Sequence, residues 1–167
     1  MIKVTIDSVR ASLLSQHRVV ILKEEGVDRY LCIWIGPFEA DAITIKLQGV
    51  EIARPLTHDL LFHILTRLGG RVSHVLVTDL LEDTFYALVV IDRDGERIEI
   101  DSRPSDAIAL AVRTQSPIFV SESVMERAGF VPEDEIDLDA VTPEEEEQLA
   151  PYRDFIEGLD LDGLGEN

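Results

Sequence analysis

EIDSRPSDAIALAVR, residues 99–113, runs from alternating polar and apolar residues into 107–112, where no side chain is polar. The alternation of Arg97, Ile98, Glu99 and Ile100 predicts a strand, and Pro104 stands where a first helical turn accepts proline. A helix that is apolar all round has no solvent face. This one must be buried on most sides, and its first turn is therefore held rigidly. Asp101, Arg103 and Asp106 crowd that turn, and three charges at the mouth of a buried helix need a reason.

Upstream, FYALVVID and RIEI flank Asp94 and Gly95 as a hairpin, preceded by the strand VSHVLVTDL. Downstream come a short strand, PIFV, and a helix, SESVMERAG. The first half follows a similar order. Ile2, Val4 and Ile6 alternate with polar residues, VVILK and YLCIWI flank EEGVD as a hairpin, and GPFEADAITIKLQG starts a helix at Pro37 and stops it at Gly49. A second helix, RPLTHDLLFHILTRLGG, takes Thr57 as its N-cap. Its Leu60, Leu61, Ile64, Leu65 and Leu68 form one apolar face, which in a globular protein packs inward. Aligning Asp41, Ala42 and Ile43 on Asp106, Ala107 and Ile108 superposes Ile33 on Ile98 and Ile35 on Ile100, which suggests an internal β-β-β-α-β-α duplication. The fold class is α+β, one domain of antiparallel or mixed sheet with several helices.

With 167 residues and 46% hydrophobic content, the chain can build one substantial core. It opens directly into a strand pattern, with no basic-then-apolar leader and no apolar stretch long enough to cross a bilayer, which predicts a cytoplasmic protein without membrane contact. Cys32 is the single cysteine, so an intrachain disulfide and a thiolate metal cluster are excluded. It reads as a small core residue. A net charge of −18 argues against a nucleic-acid partner, because a polyanion repels phosphate. The charge is uneven, however: residues 1–130 hold 19 acids and 14 bases, whereas 131–167 hold 14 acids and only Arg153. The folded domain is expected over 1–130 and an acidic tail over 131–167. Within that tail Thr142 and Pro143 read as a helix start, and Tyr152, Phe155, Ile156 and Leu159 recur at helical spacing.

The charges beside Pro104 have two readings. In the structural one, Ser102 or Asp101 accepts the free amides of the helix, Arg103 pairs with either acid, and no ligand is involved. In the functional one, a helix N-terminus and a rigid guanidinium hold a phosphate, while the two carboxylates hold a divalent metal or a water. A second charged corner, RPLTHD, places Arg54 before Pro55 and sets His58 and Asp59 in a first helical turn, where a histidine can move a proton. His58 and His63 are five residues apart, which turns their rings away from a shared zinc. Glu82, Asp83, Thr84 and Tyr86 read as a solvated turn entering a strand. No glycine-rich phosphate loop, dinucleotide fingerprint or nucleophile elbow occurs, and no organic cofactor is evident.

Taken together, IWIGPFEADAI, GVEIARPLTHDLL, DTFYALVV and IDSRPSDAIALAVR with PIFV resemble the bifunctional nuclease family, prokaryotic and plant proteins assigned both RNase and DNase activity. The resemblance spans roughly residues 1–130. It implies an α+β domain in the cytoplasm that cleaves RNA and single-stranded DNA. Within its motifs it points to Glu39, Arg54, His58, Asp59, Asp101, Arg103, Ser105 and Asp106 as site residues. On this reading Arg54, Arg103 and Ser105 bind phosphate, and Glu39, Asp101 and Asp106 hold a metal. His58, Asp59, Arg103 and Asp106 carry catalysis, with His58 moving the proton. An oxygen-rich ligand set favours magnesium or manganese over zinc. The rival reading is a non-catalytic regulatory or assembly module whose charged helix starts bind an anionic metabolite or a protein. A homodimer is expected through an open strand edge or the apolar stripe of the tail.

Overall fold

The computed structural model describes residues 1–11 and 18–132. The tail expected over 131–167, apart from its first two residues, lies outside the described residues, as do its helix start at Thr142 and its stripe at Tyr152, Phe155, Ile156 and Leu159.

Among the described residues, eight strands form one sheet. Ile2–Ala11 (β1), Arg18–Glu24 (β2) and Tyr30–Ile35 (β3) make an antiparallel meander, and Arg71–Leu81 (β4), Thr84–Arg93 (β5) and Glu96–Ser102 (β6) make another. A short strand, Ile118–Val120 (β7), joins the two, running parallel to β4 and antiparallel to β1. A final pair of residues, Gly129–Phe130 (β8), closes the far edge against β3, giving the order β6-β5-β4-β7-β1-β2-β3-β8. The hairpin tips have local causes. Asp94 and Gly95 both take positive φ, as a two-residue turn matched to strand twist requires, and so do Glu82 and Asp83 between β4 and β5. The solvated turn expected there is the tip of a hairpin.

Four helices are described: Pro37–Leu47 (α1), Thr57–Arg67 (α2), Pro104–Thr114 (α3) and Glu122–Ala128 (α4). The mixed sheet with its helices is the α+β domain expected. As its composition demands, α3 is the central helix, with residues 107–111 each 3% exposed or less and α1 and α2 packed on its sides. α4 is capped by Ser121, whose Oγ accepts from the Val124 amide, and it buries Val124 and Met125. Gly129, expected as the last residue of that helix, instead enters β8. No helix among the described residues is long and apolar enough to cross a membrane.

Four further expectations need correction. Thr57 is the first residue of α2 and not its cap; the capping contact comes from Asp59, whose Oδ2 accepts the Leu56 amide at 2.9 Å. The face of α2 expected in the core is largely outward, with Leu60, Leu61, Ile64 and Leu68 exposed. The inward side is instead His58, Phe62 and Leu65, because the charged start of α2 is anchored on α3 and rotates the helix about its axis. At α3, neither Ser102 nor Asp101 caps the helix: Arg103 is the N-cap residue, no side chain accepts there, and the Ser102 hydroxyl donates to the Arg103 carbonyl. Both halves start β-β-β-α, but no strand separates α1 from α2, so the full β-β-β-α-β-α repeat is not matched in the first half.

Candidate active site

The helix starts of α1, α2 and α3 meet. Arg103, immediately before α3, is fixed by Pro104 and by the end of β6, and its guanidinium bridges two helices. Nε donates to Asp106 Oδ2 at 2.7 Å and Nη2 donates to Glu39 Oε1 at 2.7 Å. The other oxygen of Asp106, Oδ1, lies 3.0 Å from His58 Nε2. Glu39, Arg103, Asp106 and His58 thus form one hydrogen-bonded chain assembled from residues 39 to 106. Its depth is graded: the Arg103 side chain is 66% exposed and that of His58 only 10%. Among the described residues Nη1 of Arg103 has no acceptor, which leaves it for another.

Burial works to raise the Asp106 carboxyl, but hydrogen bonds from Arg103 and His58 outweigh it and hold the group below the ordinary carboxylate range. The same bonds to Asp106 and Glu39 hold the Arg103 guanidinium still more firmly protonated. An ionised Asp106 can only accept, so His58 Nε2 carries the proton in this bond.

Asp59, expected to act with His58, is engaged elsewhere. Its Oδ1 accepts from Arg113 Nε at 2.7 Å while Oδ2 takes the Leu56 amide. Arg113 is the residue that the sequence reading missed. Its side chain is 2% exposed, and Nη1 donates to the carbonyls of Ala42 in α1 and Ala109 in α3. One guanidinium therefore ties all three helices and fixes the angle at which α2 presents His58. The signal was available: a helix without a solvent face must bury the arginine that follows its apolar run. Gly36 is a second omission. A Cβ there would collide with the Glu39 carboxylate, which folds back over the start of α1.

The remaining expected residues are placed differently. Ser105 is buried in the first turn of α3. Arg54 is exposed in the segment before α2, and Asp101 is exposed on β6 opposite Leu88; neither has a side-chain partner among the described residues. Among those residues no group of three or more His, Cys, Asp or Glu side chains is placed to hold a metal ion. Glu39 and Asp106 share a guanidinium instead. Cys32 is only partly buried, and desolvation pushes its thiol up to about 11, which leaves it unreactive near neutrality.

A pH dependence of stability follows. Desolvation raises and hydrogen bonding lowers the carboxyls of Asp59 and Asp106, and for both the net direction is down. A depressed folded-state value means that the stabilisation is complete above the unfolded value of about 4 and is lost as pH falls through the lowered folded values. Urea midpoints are therefore expected to hold down to about pH 4 and to fall steeply below it. Asp59→Asn should flatten that acid limb; an unchanged limb would show that Asp59 does not contribute to it.

Fold and network define a class first: a one-sheet α+β domain carrying an Arg–Asp–His relay at the meeting point of three helix starts. A model of the bifunctional nuclease domain matches residues 20–133, and the chain belongs to that family. An uncharacterised protein of Mycobacterium tuberculosis is 40% identical over 160 residues, 96% of each chain. Bifunctional nuclease 1 of Oryza sativa subsp. japonica is 29% identical over 117 residues, 68% of this chain and 35% of the rice protein. Bifunctional nuclease 1 of Arabidopsis thaliana is 30% identical over 110 residues, 64% of this chain and 34% of that protein. The chain thus spans about a third of the plant relatives it matches.

Proposed function

We propose that the Arg103–Asp106–His58 relay is the phosphodiester-cleaving site of a cytoplasmic nuclease acting on RNA and single-stranded DNA. The observation that carries this reading is the convergence of Glu39, His58, Arg103 and Asp106 on one chain of hydrogen bonds that is open to solvent at Arg103. Arg103 Nη1 takes a phosphate oxygen and stabilises the charge that builds on the phosphoryl group. Asp106 orients the His58 ring, and Nδ1 removes a proton from the attacking oxygen. DNA has no 2′-hydroxyl, so a single mechanism serving both polymers uses water as the nucleophile. Water forms the new oxygen–phosphorus bond as the bond to the leaving oxygen breaks on the opposite side of phosphorus; that oxygen takes a proton from solvent, and His58 then releases the one it took to solvent.

Magnesium or manganese enters this reading only in exchange: to reach Glu39 and Asp106, the ion would have to displace Arg103 from both. Arg54 and Ser105 stay in the proposal as supporting phosphate contacts, and Asp101 as an outer carboxylate. One observation favours the rival reading of a non-catalytic module that binds an anion or a protein. Glu39 and Asp106 already neutralise Arg103, as a purely structural brace would.

Cleavage of a single-stranded oligonucleotide by Asp106→Asn and Asp101→Asn variants, with and without chelator, separates these readings. Asp106→Asn is expected to cost about 100-fold in rate, the scale of a lost proton-transfer partner, and Asp101→Asn to cost little. Equal activity of wild type and Asp106→Asn would remove the relay from the chemistry. A chelator-sensitive wild type with an impaired Asp101→Asn variant would restore the three-carboxylate metal site.

A further inference from the structure

We propose that the outward stripe of α2 is where a second copy of this chain packs. Leu60, Ile64 and Leu68 recur every fourth residue along the helix, with Leu61 beside them and Leu56 just before its start; all are between 36 and 63% exposed. Helix α2 therefore has two apolar sides, one spent on the core through Phe62 and Leu65 and one that nothing among the described residues covers.

Three features select a second copy over other occupants. The first is shape. A ridge of residues four apart interdigitates with its own like when two helices cross. A two-fold axis through Ile64 then sets Leu60 against the partner's Leu68 and Leu68 against the partner's Leu60, so one stripe suffices for both sides of the contact. The second is charge. The chain is net −18, with most of that charge in residues 131–167, so two copies carry like net charge and repel one another at long range. The outward side of α2 is different: its one acid, Asp59, is held by Arg113 and the Leu56 amide, and the flanking polar residues are His63 and Arg67. Two copies meet there without setting carboxylate against carboxylate. The third is area. Five large side chains, each about half exposed, amount to on the order of 400 Å² of apolar surface, close to the apolar share of one side of a standard-sized interface.

The test uses the full-length chain in sedimentation equilibrium from low micromolar concentration upward. Wild type is expected to sediment as two chains. Ile64→Glu is expected to sediment as one, with a dissociation constant raised at least about 100-fold, because a charge is forced into the centre of the contact. Ile64 is exposed in the single chain, so the variant should keep its far-ultraviolet spectrum and melting temperature. Tyr86→Ser, which removes an exposed aromatic from β5, should leave the dimer intact. Wild type sedimenting as one chain throughout, or Ile64→Glu still sedimenting as two, would overturn the proposal. A monomeric wild type in which Ile64→Glu opens the segment around Tyr152 to protease would overturn it in favour of the chain's own tail as the occupant.

Discussion

Arg103→Ala is expected to lower cleavage of single-stranded RNA and DNA by about 100- to 1,000-fold while leaving the melting temperature within a few degrees, the pattern of a lost charge-stabilising donor at a preorganised site. The two halves of this expectation have separate causes. Arg103 is two-thirds exposed, so its ion pairs with Glu39 and Asp106 are screened and add little to folding. It is also the one cation of the network open to an incoming phosphate, and no other member of the network can replace it there. Arg103→Lys should recover only part of the rate, since an ammonium cannot bridge Glu39 and Asp106 as a planar fork does. Activity that survives Arg103→Ala at the wild-type level through repeated purification would belong to another protein or another site. A tightly folded Arg103→Ala variant that loses a protein partner but never had nuclease activity would favour the assembly module.

The effect at Arg113 is expected to fall on stability. Arg113→Met removes a buried guanidinium that holds Asp59 and the carbonyls of Ala42 and Ala109. Breaking one partner of such a pair costs about 3 kcal/mol or more, and for a domain of this size the melting temperature should drop by on the order of 10 °C. Much of that cost is the Asp59 carboxylate left unpaired. The double variant Asp59→Leu with Arg113→Met should therefore lose less than Arg113→Met alone. Equilibrium urea unfolding of wild type, both single variants and the double variant measures the coupling. Additive losses, or a single-variant loss under about 1 kcal/mol, would mean that the three helices are held by apolar packing and that Arg113 only fills space.

Residues 99–113 contain enough information to require a buried helix behind a strand, because a run with no polar side chain leaves no alternative to burial. Period-two alternation and the turn at Asp94 and Gly95 located the hairpins for the same kind of local reason. Local pattern failed at α2. Its apolar residues lie on two sides of one helix, and periodicity counts apolar positions without saying which side meets the core. That choice was made by a hydrogen bond and an ion pair to α3, His58 on Asp106 and Asp59 on Arg113, between residues 48 and 54 positions apart.

The candidate site divides in the same way. Glu39, His58, Arg103 and Asp106 could be singled out as charged residues at helix starts, but nothing in their spacing says that Arg103 reaches Glu39 and leaves Asp101 aside. Asp59 was placed with His58 because the two are adjacent in sequence, yet successive positions on a helix point about 100° apart, so one turned to Asp106 and the other to Arg113. By itself the sequence determined the elements other than β8, their order and the burial of α3, since propensity, turn chemistry and apolar runs act over a few residues. Only the tertiary structure decided which charges pair, which face of α2 is left outward and which arginine is spent on holding the helices together, since those outcomes depend on where three helices meet in space.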